Sequence, residues 1–433
     1  MNLEHLPKSA DLVVIGAGIM GAVTALRAAE AGADVVVIEK EWGPAGEQSG
    51  RAQGALRAMG KHGPAIKLTE ESLKIWRGIA NEADAEIVFK GSLSVARTES
   101  DLAPMVGLIS EFEKLGMDRP VQFDELQTRT FIPALKGPLV GSVLREGDGH
   151  CNPRKSTNYF ARQAENAGAK FYFGTKAVRL LERGGSIAGV ETTSGTILAG
   201  RVVVACGVWT QFLARTVGIK IPIMPVVLSG CETTPVPPLF QQSLRTYGYS
   251  GHQRSNGRIV VSAGVNAMIR HEISLTTFDS LGIWLPRLFA HRKKVRLRVD
   301  RQRIARQLEF RDRWSTHQIQ EETAPKAVDR PLMRGALSYL QDLIPELKSA
   351  QIARYWAGYL DMSPDAIPIV DSESCPDGMV VATGMSGHGL VLGPVMGAIL
   401  SQMVLENRSP YPVHEFRLAR FKEGKVPIPA NTI

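Results

Sequence analysis

From Asp11 the chain reads DLVVIGAGIMGAVTALRAAEAGADVVVIEK, and the period of its apolar positions changes twice within that segment. An unbroken apolar run predicts a buried strand, Ala25, Leu26 and Ala29 on one face predict a helix, and a second apolar run ending at Glu39 predicts another strand. From Lys176 to Thr210 short alternating runs are separated by Gly184-Gly185 and Ser194-Gly195, and an apolar strand from Val202 to Ala205 is stopped by Gly207. From Gly378 to Val404 a strand leads through a Gly-rich turn into a long apolar helix. The runs VFKGSLSVAR, IPIMPVVLSG, GRIVVSAGV and KVRLRV predict further strands. In the last of these Val295, Leu297 and Val299 alternate with Lys294, Arg296 and Arg298, the period of a half-buried strand with its charges on one face. The longest apolar stretch, Gly389 to Leu405, contains Ser401 and Gln402 and falls short of a membrane span of about 20 residues, so a core helix is expected there.

Composition narrows the class. The 433 residues are 44% hydrophobic and 22% charged, far from the regime of disordered chains. The length corresponds to two or three domains of about 150 residues each. The four cysteines, Cys151, Cys206, Cys231 and Cys375, form no C-x-x-C pair for zinc, an iron–sulfur cluster or a redox dithiol, which points to a reducing compartment. No metal is expected. The amino terminus passes from a polar leader into a strand without the regions of a signal peptide, so a cytoplasmic location is expected. The net charge of +8 is local, because Arg287 to Arg313 holds eleven basic and three acidic residues. These charges do not alternate with aromatic stacking platforms, so nucleic acid is not the expected partner. The segment reads as a solvated strand and a solvated helix, and the alternatives are a surface for anionic lipid or for a partner subunit.

The candidate chemistry begins at the first turn. Gly16 permits the sharp strand-to-helix turn, Gly18 lets the backbone approach a pyrophosphate, and Gly21 lets the helix pack close to the sheet, with Ala17, Ile19 and Met20 completing the loop. The pyrophosphate then meets the helix amino terminus. Glu39, at the tip of the second strand and followed by Lys40, is placed to accept hydrogen bonds from ribose hydroxyls. An adenine dinucleotide is expected, and NAD and FAD share this unit. The turn with Gly384, Met385, Gly387, His388, Gly389 and Leu390 opens a helix whose dipole suits a flat ring that becomes anionic on reduction, which favours FAD.

Together these residues resemble the D-amino-acid-oxidase-like (DAO) superfamily of FAD-dependent amine oxidoreductases, and the likeness runs from Asp11 to about Glu423. GEQSGRAQG, from Gly46 to Gly54, is similar to the family's segment lining pyrophosphate and flavin, which nominates Gln48, Ser49, Arg51, Ala52, Gln53 and Gly54; Val178 and Gly207 are nominated from the Lys176–Thr210 segment. EGDGHCNPRKS resembles the family's D-G-x-x-[DN]-P turn, with Asn152 where Asp is more usual, and YWAGYLDMSPDAIPIVD resembles its W-x-G signature beside the flavin. Two departures are informative. Leu360 stands where glycine-oxidase-like members carry a carboxylate-binding Arg, and about Gly358 stands where monomeric sarcosine oxidases attach FAD to a Cys. The resemblance therefore implies non-covalent FAD, and the pattern most resembles bacterial L-amino acid deaminases, with the glycine and sarcosine oxidase group next. It implies an α/β (mixed α+β) fold: a composite Rossmann-type FAD domain from residues 9–85, 145–220 and 350–405, an interleaved substrate domain on a mixed β-sheet from 86–144 and 221–349, and a C-terminal tail, 406–433.

The implied reaction takes a hydride equivalent from the C–H next to nitrogen of an amino acid or secondary amine and gives an imine that water hydrolyses. It needs no strong protein base, and none is nominated. Arg57 and Arg258 are the candidate carboxylate anchors, since a planar guanidinium matches a carboxylate. Asp361 is the candidate for a substrate ammonium or a water, and Tyr249 and Met385 for the side-chain pocket. His388 is expected on the cofactor side rather than as a base. The expected acceptor is O₂ or a respiratory quinone; the latter goes with adsorption of the 287–313 segment at the inner membrane face. The other reading is a flavoprotein subunit of a multi-chain amine, opine or proline dehydrogenase.

Overall fold

The computed structural model describes residues 5–428 apart from 62, 83, 265–268, 274, 294, 300–303, 306–326 and 425. Apolar runs buried on both faces assemble into a six-stranded sheet. Its order is Ile369–Asp371, Met379–Thr383, Val202–Val204, β1 (Leu12–Ile15), β2 (Val35–Ile38) and Lys170–Tyr172, all parallel except the first pair. α1 (Ile19–Glu30) follows β1 and packs against helices Pro153–Asn166 and Gly389–Glu406. Asn152 caps the former, its side chain accepting from Lys155 N at 3.2 Å, so Asn serves where Asp is more usual.

Gly389–Glu406 is long and apolar enough to cross a membrane, yet Leu392, Met396, Ile399 and Leu400 on it are fully buried, as expected of a core helix. It touches α1 closely because Gly397 has no side chain, where a Cβ would lie 2.5 Å from Val23 Cβ. A separate antiparallel sheet, Ala177–Arg183, Ser186–Thr192 and Gly195–Leu198, carries the two predicted Gly turns.

The second layer is a large mixed sheet. Its strands run Val295–Val299, Ile269–Ile273, Met224–Thr233, Ile259–Ser262, Ser250–Gln253, Ser243–Arg245, Ser92–Ala96, Gly141–Arg145 and Val121–Asp124. Helix Arg330–Leu343 covers it with Met333, Ala336, Leu337, Leu340 and Leu343, buried at helical spacing.

Three expectations are corrected. Ile352–Met362, assigned above to the dinucleotide domain within 350–405, pairs along Met224–Thr233 in the large sheet. It thereby brings the W-x-G segment from the second layer to the boundary between the two. Val295–Val299 is a strand but, among the described residues, an edge strand paired with Ile269–Ile273, and Leu297 and Val299 are exposed along with its arginines, so neither face is covered by the described residues. Most of the basic run after it lies outside the described residues. The C-terminal segment after residue 405 is anchored: Phe416 is fully buried, Leu418 N donates to Asp371 Oδ2 at 2.6 Å, and Arg420 pairs with Asp365 at 2.9 Å.

Candidate active site

One cavity of about 320 Å³ runs along the boundary between the two layers. At its first end lies the β1–α1 turn. Gly16 has φ +106°, and a Cβ there would sit 2.8 Å from Ala205 O; a Cβ on Gly21 would sit 1.8 Å from Gly16 O. Neither position accepts a side chain, which leaves the amino terminus of α1 bare toward the cavity. Ser49 closes over it, its Oγ accepting from Ile19 N at 3.0 Å. Desolvation raises the pKa of the half-buried Glu39, while the amides of Glu41 and Ala17 hold its two oxygens at 2.9 and 2.8 Å. Lys40 lies 4.4 Å from the Trp209 ring centroid and pairs with Glu41 and Glu47. A cradle without side chains at a helix amino terminus, with a carboxylate fixed at the end of β2, fits the pyrophosphate and ribose of FAD.

The middle of the cavity is held by a polar network. Gln48 Nε2 donates to Asp361 Oδ1 at 2.9 Å, while its Oε1 accepts from Val208 N at 2.9 Å. Thr383 Oγ1 and Met385 N reach Asp361 Oδ2 at 3.1 and 3.3 Å. Burial raises the Asp361 pKa against these donors. Arg51 donates to Ala357 O at 3.0 Å, and Trp356 Nε1 donates to Arg51 O at 3.0 Å, which ties the GEQSGRAQG segment to the W-x-G strand.

The far end is cationic. Arg57, Lys61 and Arg245 all line it. Gly60, at φ +80°, folds the chain back so that Arg57 and Lys61 face the same space, and Arg245 comes from strand Ser243–Arg245 of the large sheet. Lys61 is buried, and burial together with Arg57 and Arg245 lowers its pKa well below the ordinary lysine value. Arg57 is lowered by burial, and Arg245 is brought to about 9, first by Arg57 and then by burial. The carboxylate of Asp148 acts on both Arg57 and Lys61, opposing the effect of burial; its Oδ1 accepts from Arg145 Nη1 at 2.6 Å and Ala58 N at 2.8 Å, and its Oδ2 has no hydrogen-bond partner among the described residues. Among the described residues neither Arg57 nor Lys61 has a side-chain hydrogen bond or a carboxylate within 4 Å. Arg270 also lines the cavity, donating to Ala327 O at 2.7 Å.

Of the residues nominated from sequence, Gly16, Gly18, Ile19, Met20, Glu39, Lys40, Gln48, Ser49, Arg51, Ala52, Gln53, Gly54, Arg57, Gly207, Asp361, Met385, Gly387, Gly389 and Leu390 line this cavity. Several do not. Tyr249 is fully buried in the core of the large sheet with its hydroxyl donating to Val260 O at 3.2 Å, so it does not shape the pocket. Arg258 donates to Thr233 O at 3.1 Å away from the cavity, so it is not the anchor. Asp361 reaches the cavity, but both its oxygens are occupied, which makes it a brace rather than a free partner for an ammonium group. Val178 turns away because successive strand residues alternate faces, while Ala177 lines the wall. His388 is buried behind Gly387 and Gly389 at the start of the last helix, and Ala17, Gly21 and Gly384 lie beneath the cavity wall. Sequence reasoning missed Lys61, Arg245 and Arg270. Among the described residues no group of three or more His, Cys, Asp or Glu is arranged to hold a metal.

Residues 11–403 match the profile of the DAO family, described as FAD-dependent oxidoreductase. The chain is 23% identical to sarcosine oxidase subunit beta of Rhodobacter capsulatus, across 96% of this chain and 90% of that one. It is also 23% identical to glycine oxidase of Geobacillus kaustophilus, across 95% and 97%. Its fold is similar to that of L-amino acid deaminase from Proteus myxofaciens in complex with anthranilate, with a TM-score of 0.88, 23% identity and coverage of 97% of this chain and 95% of that one. With a dinucleotide cradle at one end of the cavity and a profile match over most of its length, the chain belongs to the DAO family of FAD-dependent oxidoreductases.

Proposed function

We propose that the enzyme oxidises a carboxylate-bearing amine, an amino acid or an N-substituted amino acid, at the C–H bond next to nitrogen, in the manner of an L-amino acid deaminase. The observation that carries this reading is Arg57, which faces the cavity with no carboxylate partner within 4 Å among the described residues. Bound FAD supplies the hydride-accepting chemistry. The protein's residues orient and shield. Arg57 matches a substrate carboxylate with two parallel N–H donors, and that pairing relieves the penalty burial imposes on the guanidinium. Leu360, Tyr359 and Met385 line the same cavity with apolar surface and exclude water from the reacting carbon. Leu360 offers nothing to a carboxylate, so the anchor has moved to the cationic end. The imine released from the reaction is hydrolysed to a keto compound.

Anaerobic mixing of the FAD-loaded protein with L- and D-amino acids, N-methyl amino acids and their decarboxylated counterparts tests this reading. Bleaching of the flavin band by carboxylated amines is expected. Bleaching by the decarboxylated amines alone contradicts it. The cofactor is proposed to be non-covalent, because Gly358 packs against Arg51 and offers no thiol; acid precipitation should leave the yellow colour in the supernatant.

A second reading concerns the electron acceptor. Leu281, Leu285 and Phe289 form an exposed row on helix Leu281–Ala290, and Arg292, Lys293, Arg296 and Arg298 lie exposed just beyond it. An apolar row edged by cations supports adsorption to anionic lipid and delivery of electrons to a membrane quinone. Arg287 does not contribute, since it is buried and donates to Pro427 O. Relatives include a sarcosine oxidase subunit, and docking of a second chain on this row is the competing outcome of the sedimentation test described in the Discussion.

A further inference from the structure

The cationic end of the cavity holds more positive charge than one carboxylate neutralises. Arg57, Lys61 and Arg245 line it together. The carboxylates near them, Asp148 and Glu70, both pair with a fourth cation, Arg145, at 2.6 Å and 2.5 Å. Among the described residues Arg57 and Lys61 thus face the cavity as two cations without a carboxylate within 4 Å. Lys61 is only 3% exposed, yet its ammonium has no hydrogen bond or carboxylate within 4 Å among the described residues. Charging a buried amine without a partner is costly, and an anionic ligand would supply the partner that Lys61 lacks among the described residues. The other acidic residues lining the cavity are engaged: Glu39 by two amides, Glu47 by Lys40, Asp361 by its donors, and Asp329 by Leu332 N at 3.0 Å.

We propose that the substrate is an amine carrying at least two carboxylates, the first paired with Arg57 and the second held by Lys61 with Arg245. This rests on the reading above that Arg57 anchors a carboxylate, and it deepens that reading from a monoanionic to a dianionic substrate class. The strand Ser243–Arg245 places Arg245 on the large sheet rather than beside α1, so the three cations serve the substrate end of the cavity and not the pyrophosphate cradle.

The test titrates the FAD-loaded protein, at constant ionic strength, with unreactive acids matched in length: succinate against butyrate and glutarate against pentanoate, each followed by perturbation of the flavin absorption band. The dicarboxylate is expected to bind about 10- to 100-fold more tightly than its monocarboxylate partner. In Lys61→Met that ratio should fall toward one, and in Lys61→Arg it should return. Equal affinity of the paired acids in the wild type overturns the dianion proposal while leaving Arg57 as an anchor. Failure of all four acids to perturb the flavin overturns the anchor as well. The wild-type ratio decides even if Lys61→Met fails to fold.

Discussion

Glu39 and Asp361 are both carboxylates in the cavity wall, Glu39 half-buried and Asp361 fully buried, and they do different work. Glu39 holds the turn by accepting from Ala17 N and Glu41 N, and it lines the cavity beside the β1–α1 turn, where the ribose of FAD is expected. Glu39→Ala should weaken FAD binding about 10- to 100-fold, the loss of hydrogen bonds to a charged group worth about 1.5–3 kcal/mol; quenching of FAD fluorescence by apoprotein measures it, and an unchanged affinity would move the ribose site. Asp361 braces Gln48, Thr383 and Met385. Removing it leaves buried donors unpaired, so Asp361→Ala should lower stability by about 1–3 kcal/mol in urea unfolding and reduce FAD content. A change confined to substrate KM would instead assign Asp361 to the substrate. From sequence Glu39 was placed at the ribose and Asp361 was a candidate for a substrate ammonium or a water, because the order of residues does not reveal which lone pairs the fold has already occupied.

Elements show the same division between local and distant information. The β1–α1–β2 unit was legible because strand, turn glycines and helix are contiguous and each carries its own signature. Ile352–Met362 was misassigned because its pairing partner, Met224–Thr233, is far away in the chain, and neither run states which sheet it joins. The contact of α1 with Gly389–Glu406 depends on Gly397. Gly397→Ala should cost about 1–3 kcal/mol by overpacking against Val23, visible as a lower urea midpoint. A pH effect arises where the two-residue strand Gly149–His150 meets Ser250–Gln253. His150 stacks on His252 with ring centroids 4.2 Å apart, and burial first, then Arg254, lowers the His150 pKa from 6.5 to about 4. The unfolded chain therefore binds more protons than the folded one between those values, so stability is lost as pH falls through that window, by about 3 kcal/mol for this residue. The raised carboxylates Asp148, Glu39 and Asp361 act in the opposite sense, so the contribution is read as a difference. Unfolding of His150→Gln should depend less steeply on pH between 6.5 and 4 than that of the wild type; equal slopes would mean that the folded His150 titrates normally.

At the scale of the molecule, two layers enclose one cavity with an FAD cradle at one end and the cations Arg57, Lys61 and Arg245 at the other. The cradle could be read from the chain. Arg57 could be nominated from it, but not the cations around it, since Arg57 and Lys61 converge only through the turn at Gly60, and Arg245 arrives from a three-residue strand with no pattern of its own. On the outer surface, the row Leu281, Leu285 and Phe289 with its neighbouring arginines predicts sedimentation with anionic vesicles at low salt and release at high salt, as the Debye length falls from about 10 Å at 0.1 M to about 3 Å at 1 M. No sedimentation at low salt leaves O₂ or a partner subunit as the acceptor. The central claim, that Arg57 anchors a substrate carboxylate so that the neighbouring C–H faces the cofactor, is tested most directly by one ratio: kcat/KM for an oxidised amino acid over that for its decarboxylated amine, in wild type and in Arg57→Ala with FAD content matched. The ratio should fall about 10- to 100-fold in the variant, carried by KM. A ratio that is the same in both proteins would contradict the account.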